Sequence, residues 1–313
     1  MGARRIPAMT LDVPVGPKPR RSGAPGAAAE IGLWLLIAVY AATTLIPRFV
    51  PAFGTLLDIA LSVAAALAFA FIHGSIRYGS RAITVFLGIS LLVSNIMENL
   101  SILTGFPFGH YYYTGNLGPK LFLVPLLIGP AYFGTGYVAW TLANVVLDEA
   151  DRRRDIASVV GLPVVAAFIM TSWDICFDPT LSTVAHDWIW RNGGGYFGVP
   201  LVNYLGWYLT VFLYYQLFAL YLAGRSGPMR TGQPRPYWYQ AAVFFFVIAV
   251  GYPAGYLGGR DVPVTDATGA TWRTGNIYET AAIVSIYTLL FVSVLSFLKI
   301  GRRGYRAQPT ERD

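Results

Sequence analysis

The chain has 313 residues, of which 55% are hydrophobic and only 12% are charged, and its net charge is +7. A soluble domain carries about twice that share of charged residues. The composition therefore excludes an ordinary soluble domain, and it indicates a membrane protein whose basic residues face anionic lipid rather than nucleic acid. The single cysteine, Cys176, excludes an intrachain disulfide and a cysteine-based zinc site, and we interpret it as a small core residue.

Residues 1–30 are rich in Pro, Gly, Ala and Arg and predict a disordered basic tail without the features of a signal peptide. A single transmembrane domain is expected over residues 31–300, followed by a short cytoplasmic tail, residues 301–313. Eight hydrophobic segments of about 20 residues each fit the length that a helix needs to cross a bilayer. They cover residues 31–46, 54–73, 82–104, 121–147, 156–177, 200–223, 238–257 and 277–298.

The distribution of basic residues tests this topology. With the N-terminus in the cytoplasm, 18 of the 23 Lys and Arg residues fall on the cytoplasmic side and five on the outer side. A missed or added span scrambles that partition. The sequence therefore predicts an all-α bundle of about eight transmembrane helices with both termini in the cytoplasm. The expected location is the cell membrane, as a multi-pass protein of the bacterial inner membrane.

Five carboxylates lie inside or at the ends of the hydrophobic segments, and this topology places all of them near the outer face. They are Asp58, Glu98, Asp174, Asp178 and Glu279. Ionised carboxylates are costly in hydrocarbon, so an acid within a membrane span indicates a functional site. Two loops rich in Gly, Pro and aromatic residues, 105–120 and 179–200, reach the same face.

The third hydrophobic segment carries the strongest candidate. Asn95, Glu98 and Asn99 share one helix face at spacings i, i+3 and i+4. We predict that the two asparagines hydrogen-bond Glu98, and that an apolar setting at a helix C-terminus disfavours its charged form. A neutral carboxylic acid in an apolar pocket is a proton donor. The alternative is that Glu98 only joins two helices by hydrogen bonds.

The fifth segment ends with Asp174 and Asp178, which share a helix face at i and i+4. Like charges at that distance do not both ionise cheaply, which favours a functional pair. Asp178 has a structural alternative, because Asp followed by Pro179 is also typical of a helix N-cap. That alternative predicts a short helix from Pro179 to Trp190.

Several other functional classes have no sequence support. The glycine-rich run 193–198 lacks the order of a phosphate-binding loop, so a nucleotide site is excluded. The three histidines, His73, His110 and His186, lack the spacing of a zinc or di-iron centre. We interpret His73 as structural, whereas His110 and His186 in outer loops are candidates to relay protons or bind a polar group.

Two motifs resemble the signatures of a known family. The first is Gly105-Phe-Pro-Phe-Gly-His-Tyr-Tyr-Tyr113, followed by Leu117-Gly-Pro119 and Val124-Pro125. The second comprises Asp178-Pro179, Trp188-Ile-Trp190, Gly195-Tyr-Phe-Gly-Val-Pro200, Asn203 and Gly206-Trp207. In this order they resemble the membrane carotenoid biosynthesis proteins of the γ-carotene 1′,2′-hydratase and bisanhydrobacterioruberin hydratase type. The likeness covers roughly residues 95–215.

The resemblance implies a carotenoid hydratase that adds water to the terminal C1′=C2′ double bond of an acyclic carotenoid end, without a metal or redox cofactor. The polyene lies in the bilayer among lipids, and association with other carotenoid enzymes is a further expectation. Chemistry assigns Glu98 as the acid and Asp174 and Asp178 as base and water holder, oriented by Asn95, Asn99 and His110. The residues expected to bind the substrate are Asn95, Asn99, Phe106, Phe108, His110, Tyr111, Tyr113, Trp188, Trp190, Tyr196, Phe197, Asn203 and Trp207.

Three alternatives stay open at the level of sequence. Cyclisation of a carotenoid end begins with the same protonation but excludes water. A proton-coupled transporter also carries acids on several spans, although no inverted repeat or matched pair of broken helices is evident. A non-catalytic scaffold for other carotenoid enzymes is the third.

Overall fold

The computed structural model describes residues 26–50, 55–148, 157–225 and 232–302, which form a helical bundle with short strands at one end. Most of the two tails predicted for residues 1–30 and 301–313 lies outside the described residues. The helices are α1 (Ala27–Leu45), α2 (Leu56–Tyr78), α3 (Ser80–Thr104), α4 (Ile128–Val146), α5 (Leu162–Pro179), α6 (Leu201–Gly224), α7 (Arg235–Gly258), α8 (Thr274–Ser285) and α9 (Phe291–Gly301).

Within the described residues, six short strands form three antiparallel pairs. The strands are β1 (Tyr111–Tyr113), β2 (Lys120–Leu121), β3 (Val124–Pro125), β4 (Trp188–Trp190), β5 (Pro263–Thr265) and β6 (Thr271–Arg273). β1 pairs with β4, β2 with β3, and β5 with β6. We call the end of the bundle that carries these strands the strand end.

Seven helical segments of the described chain are long and apolar enough to cross a membrane. They are Ala27–Arg48, Leu56–Tyr78, Ser80–Thr104, Ser158–Val184, Leu201–Gly224, Arg235–Gly258 and Thr274–Gly301. The last of these joins α8 and α9 through a π-helical turn, Ile286–Leu290. The prediction of an all-α polytopic membrane bundle is confirmed.

The remaining helix, α4, is less apolar than these seven but still runs the length of the bundle. Its Tyr132 hydroxyl reaches Glu98 near the end of α3, and its Trp140 Nε1 donates to the Tyr78 hydroxyl beside the start of α3 (3.0 Å). Every residue from 132 to 145 is buried, and α4 packs against α2, α3, α5, α7 and α9. A helix surrounded by other helices faces little lipid, so it tolerates polar side chains that a lipid-facing helix does not.

Two predicted boundaries are wrong. The fourth helix begins at Ile128 rather than at residue 121, because residues 120–125 pair as a hairpin and Leu126 N donates to Pro119 O (2.9 Å). The short helix predicted from Pro179 to Trp190 does not form either. Instead α5 continues through Pro179 into a π-helical turn, Thr180–Val184, and β4 follows. Proline removes a backbone donor from the helical ladder, and a wider turn accommodates that loss.

The opposite end of the bundle gathers basic residues. Arg225 Nη1 donates to Tyr78 O (2.7 Å), and Lys299 Nζ contacts Val146 O and the Asp148 carboxylate. We call this the basic end. The first described residues of α7 and the last of α9 also meet here, since Arg235 Nη2 donates to Arg302 O (3.2 Å). The assignment of this end to the cytoplasm stays a prediction from the distribution of basic residues.

The structure gives His73 the structural role expected of it. The imidazole is fully buried, with Nδ1 at 2.6 Å from the Tyr137 hydroxyl and Nε2 at 2.7 Å from Tyr237 O. The ring also stacks on Tyr237, with centroids 3.8 Å apart. Both ring nitrogens are therefore satisfied within the bundle. Cys176 is fully buried too, as expected of a core residue.

The close crossing of α2 and α4 depends on a glycine. A Cβ at Gly134 would lie 2.8 Å from Ala66 Cβ and 3.0 Å from the Ala66 carbonyl carbon. We therefore expect Gly134→Ala to destabilise the bundle by about 1–3 kcal/mol, because two backbones have to separate. The thermal unfolding midpoint of the protein purified in detergent, followed by fluorescence-detected size exclusion, measures this change.

Gly88→Ala is the matched control on α3, where a Cβ meets no atom within 4 Å. That substitution should leave the midpoint unchanged or raise it, since alanine favours a helix over glycine by about 0.5–1 kcal/mol. Equal midpoints for the two variants would contradict the proposed close crossing.

Candidate functional site

Glu98 lies on α3, near the strand end, and is only 2% exposed. The predicted hydrogen bonds from Asn95 and Asn99 to Glu98 are not present. Instead Asn99 Nδ2 donates to Asn95 O (2.8 Å) and Asn95 Oδ1 (3.1 Å), and Asn99 Oδ1 accepts from Leu123 N (3.1 Å). The two half-buried asparagines reach each other along the helix because they are one turn apart. Glu98 points to a different set of partners.

Three phenol hydroxyls donate to the Glu98 carboxyl. Tyr111 and Tyr113 both contact Oε2, the latter at 3.0 Å, and Tyr132 donates to Oε1 at 2.9 Å. Burial, and to a smaller extent the adjacent Glu98, raises the pKa of the Tyr111 and Tyr113 hydroxyls well above the ordinary value for tyrosine. Both loop phenols therefore stay protonated at neutral pH and act as hydrogen-bond donors and acceptors rather than as bases.

The loop after α3 is folded so that its tyrosines return to Glu98. Gly105 ends the helix in the left-handed region, with φ of 82°, where only glycine is unstrained. Ser101, one turn beyond Glu98, then fixes the loop, since its Oγ accepts from Phe108 N (3.0 Å) and donates to Gly109 O (2.9 Å). The chain turns back over the helix end at this point and enters β1.

The pairing of β1 with β4 aligns four aromatic side chains. Tyr111 lies opposite Trp190 and Tyr113 opposite Trp188. All four are buried, because alternate residues of a strand point to the same face. The intervening residue of β1, Tyr112, faces away and is 42% exposed. The ribbon thus presents two tyrosines and two tryptophans to the bundle interior.

The two tryptophans of the ribbon hold Asp178. Trp188 Nε1 and Trp190 Nε1 donate to Asp178 Oδ1 at 3.0 and 3.1 Å, and Asn203 Nδ2 donates to Oδ2 at 2.7 Å. Asp178 lies inside α5 and is 1% exposed. The alternative in which Asp178 caps a helix that begins at Pro179 is therefore wrong, because the helix does not start there.

Asp174 lies one turn earlier on α5 and shares a partner with Asp178. Its Oδ2 accepts from the same Asn203 Nδ2 at 3.1 Å. Its Oδ1 has no hydrogen-bond partner among the described residues, although the side chain is only 1% exposed. A buried carboxyl oxygen without a partner is costly unless a proton or a water occupies it. The amide of Asn203 therefore bridges two carboxyl groups that differ in their other hydrogen bonds. Asp178 also accepts from two indoles, whereas Asp174 Oδ1 has no partner among the described residues.

Glu98 and Asp178 line one cavity at the strand end, with a volume of about 40 Å³, which is room for a few waters. Its walls are mostly aromatic. The lining residues are Glu98, Phe108, Tyr111, Tyr113, Ile128, Ala131, Tyr132, Trp173, Phe177, Asp178, Trp188, Trp190, Asn203 and Trp207. Asp174 is not among them, but it shares the Asn203 amide with Asp178.

The aromatic walls are themselves packed against each other. Tyr132 stacks on Trp207 with centroids 4.4 Å apart and an angle of 9°. Trp207 meets Trp173 edge to face, and Trp173 stacks on Phe177 with centroids 4.3 Å apart. Such contacts hold ring faces in fixed orientations. The cavity between the carboxyls is therefore narrow and shaped by rings on three helices and the ribbon.

Some of the predicted binding residues lie outside this cavity. Phe106 is 56% exposed, His110 is exposed, and Tyr196 packs edge to face on Tyr204 with centroids 5.7 Å apart. Phe197 packs on Trp272. Together with Asn95 and Asn99, these residues surround the site without lining it. Of the predicted set, the cavity gathers Phe108, Tyr111, Tyr113, Trp188, Trp190, Asn203 and Trp207.

Two of the five acids predicted to cluster do not join the site. Asp58 forms a capping box with Thr55 at the start of α2, with Thr55 N donating to Asp58 Oδ2 at 2.9 Å. This is a structural role. Glu279 on α8 is exposed. The cluster therefore consists of Glu98, Asp174 and Asp178.

Five of the lining residues were not predicted from the sequence. Tyr132 is the most important of them because it donates to Glu98 from a different helix. The others are Ile128, Ala131, Trp173 and Phe177. The position of Trp173 directly before Asp174 was a signal for its involvement. No local pattern in the sequence indicates Tyr132, since its contact with Glu98 depends on how α4 packs against α3.

Comparison with known proteins identifies the family. A model of the carotenoid biosynthesis protein family matches residues 53–267, more than half of the chain. The chain belongs to the carotenoid biosynthesis protein family. This confirms the family resemblance inferred from the two motifs, and the match extends beyond residues 95–215. No curated protein and no solved structure matches the chain. As a carotenoid biosynthesis protein, it has a role in that pathway and a carotenoid substrate.

The amide bridge gives a first test of the site in this carotenoid biosynthesis protein. Asn203→Leu removes the donor that Asp174 and Asp178 share, and we expect a stability loss of about 1–3 kcal/mol from the acceptors left unpaired. Thermal unfolding in detergent measures it. Asn95→Leu on α3 is the control, because Asn95 contacts neither carboxyl and is half-buried. A larger loss for the control than for Asn203→Leu would contradict the bridge.

Proposed function

We propose that this carotenoid biosynthesis protein adds water to the terminal double bond of an acyclic carotenoid end. The observation that supports this best is one cavity between membrane helices in which two carboxyl groups have hydrogen-bond partners of opposite kinds. One carboxyl is suited to give a proton and the other to take one. Among the described residues that line the cavity, none is basic, so positive charge formed there meets only carboxyls and aromatic rings.

Asp178 is the base in this proposal because two indoles and an amide N–H donate to its carboxyl. An indole N–H has no acceptor lone pair, and Asn203 faces Asp178 with its amide nitrogen. An ionised carboxylate accepts all three bonds, whereas a proton on Asp178 would compete with donors already in place. The two indoles and the amide therefore hold a carboxylate that is ready to accept a proton from water.

Glu98 is the acid because its partners can change roles. A phenol hydroxyl donates to a carboxylate but accepts from a carboxylic acid by rotating its hydrogen. Tyr111, Tyr113 and Tyr132 therefore stabilise Glu98 in both protonation states. A carboxyl whose partners can hydrogen-bond it both before and after proton transfer is suited to general acid catalysis, which contributes roughly 10²–10⁴-fold to a rate.

The proposed reaction conserves every atom. The Glu98 proton forms a C–H bond at the less substituted alkene carbon, and a tertiary cation forms next to it. Water then forms the C–O bond while Asp178 takes a water proton, and return of that proton to Glu98 resets the site. The faces of rings such as Tyr132 and Trp207, with the Asp178 carboxylate, stabilise the cation electrostatically.

Asp174 has a supporting role. It does not line the cavity, but it shares the Asn203 amide with Asp178, and one of its oxygens is unpartnered among the described residues. Neighbouring carboxylates do not both ionise cheaply. We propose that Asp174 carries the proton of this pair and so leaves Asp178 as the ionised member. Asp174 is then a positioning residue, and the sequence-based assignment of both aspartates to the water becomes an assignment of Asp178 alone.

The rim of the cavity supports entry of the polyene from the bilayer. Three of the lining residues are partly exposed, namely Ile128 and Ala131 on α4 and Phe177 on α5, and the others are buried. The opening is therefore apolar. A carotenoid end that lies among lipid tails can pass between these side chains without leaving an apolar environment.

The first test of this function replaces the proposed acid. Glu98→Gln keeps the shape and the acceptor oxygen but removes the transferable proton, so we expect hydrated product to fall by about 10²-fold or more. Pigments from cells that make an acyclic carotenoid, analysed by mass spectrometry at matched protein level, measure the gain of one water. Glu279→Gln, an exposed acid on α8, is the control. Full hydration by Glu98→Gln would remove Glu98 from the mechanism.

The second test separates protonation from water capture. Asp178→Asn removes the base but leaves Glu98 and its three phenols unchanged. In deuterated medium we expect the variant to return alkene that carries deuterium, since the cation forms and then loses a proton, while hydrated product falls by about 10²-fold or more. Asp174→Asn should lose less hydration than Asp178→Asn. A larger loss of hydration in Asp174→Asn than in Asp178→Asn would make Asp174 the base that activates the water. A cyclised product from the unaltered protein would show that the reaction is cyclisation and not hydration.

A further inference from the structure

A second cavity lies at the strand end, beside the first and closer to the surface. Its volume is about 230 Å³, several times that of the cavity between the carboxyls. The residues around it come from β1, the turn after α5, β4, the loop between β4 and α6, and the β5–β6 hairpin. They are Tyr112, Ser182, Thr183, His186, Ile189, Trp190, Gly198, Thr265, Asp266 and Ala267. We call it the outer cavity, and the one between the carboxyls the inner cavity.

The two cavities share one wall. Trp190 lines both of them, and its Nε1 donates to the inner carboxyl of Asp178 at 3.1 Å. Ser182 lines the outer cavity one helical turn after Asp178, and its Oγ donates to Asp178 O at 2.9 Å. The Trp190 ring and this turn of the chain therefore contact both the outer cavity and the proposed base.

The walls of the outer cavity carry polar side chains, whereas the rim of the inner cavity is apolar. Ser182, Thr183, His186, Thr265 and Asp266 contribute hydroxyl, imidazole and carboxyl groups to its walls. Such groups hold water, and the volume suffices for several molecules.

The carboxyl of this cavity remains ionised at neutral pH. Partial burial raises the pKa of Asp266, but hydrogen bonds from Thr268, Trp272 and Ala270 N outweigh that effect, and the net shift is downward. Asp266 therefore places a negative charge in the wall of the outer cavity, where water can solvate it.

We propose that the outer cavity supplies the water of the reaction to Asp178 past Trp190, while the polyene reaches the inner cavity through the apolar rim at Ile128, Ala131 and Phe177. This inference rests on the proposed hydration and adds a separate entrance for each reactant. The apolar rim and the outer cavity have no residue in common, so on this proposal the polyene end does not block the path of the water.

Separate entrances have a chemical consequence. A tertiary cation in a dry cavity loses a proton or cyclises, whereas one that meets a positioned water becomes an alcohol. On this proposal the outer cavity decides between these products without touching the polyene. Filling it should therefore suppress hydration but leave protonation by Glu98 intact.

The test introduces a removable plug. Ala267 is an exposed residue of the β5–β6 hairpin and lines the outer cavity. Ala267→Cys in isolated membranes is treated with benzyl methanethiosulfonate, which attaches a benzylthio group through a disulfide. We expect hydrated product to fall by roughly tenfold, and deuterium exchange into unhydrated alkene to continue in deuterated medium. Dithiothreitol removes the group and should restore hydration.

Ala270→Cys is the matched control, because it is an exposed alanine of the same hairpin that does not line the cavity. The unaltered protein treated with the reagent controls for Cys176, which is buried. Loss of hydration confined to labelled Ala267→Cys supports the proposal. Full hydration by labelled Ala267→Cys, with labelling verified by mass, overturns it. Failure of the untreated, unaltered protein to hydrate any acyclic carotenoid end overturns the proposed function instead, and this inference falls with it.

Discussion

The antiparallel pairing of β1 with β4 is the constraint on which the site depends. Buried carboxyls in a membrane bundle need hydrogen-bond donors, and the ribbon supplies four of the donors to Glu98 and Asp178. The register places Tyr111 and Tyr113 toward one carboxyl and the two tryptophans toward the other. A slip of β4 by one residue against β1 would turn both tryptophans away from Asp178, because side chains alternate along a strand. The ribbon also separates the inner cavity from the surface.

The chemistry proposed for the site follows from a difference between phenol and indole. A phenol donates or accepts, so it accommodates a carboxyl that gains and loses a proton, whereas an indole only donates and favours a carboxylate. Two acids in the same cavity can therefore have different roles although both are buried and both are held by aromatic side chains. Stacked rings from α4, α5 and α6 complete an environment that suits a transient cation.

Local sequence patterns predicted the acids of this site, but their predictions of a hydrogen-bond pattern and of a helix boundary were wrong. Glu98 and Asp178 stood out because acids are rare in apolar segments, and the structure brings both to one cavity. Asn95 and Asn99 were expected to bond Glu98 on the ground of helical spacing, but they bond each other instead. The sequence after Asp178 has the pattern of a helix start, yet α5 runs through it. In both cases a later segment supplies a partner, namely Leu123 N for Asn99 and the two indoles of β4 for Asp178.

The sequence by itself determined the membrane helices, the basic end and the acids near the opposite end. Hydropathy and charge act on each segment separately, through its transfer free energy between water and lipid. Only the tertiary structure decided which donors meet which acid. The pairing of residues 111–113 with 188–190 and the approach of Tyr132 across α3 and α4 join positions that are 34 or more residues apart. No property of either segment alone specifies the other, because the contact exists only after the helices have packed.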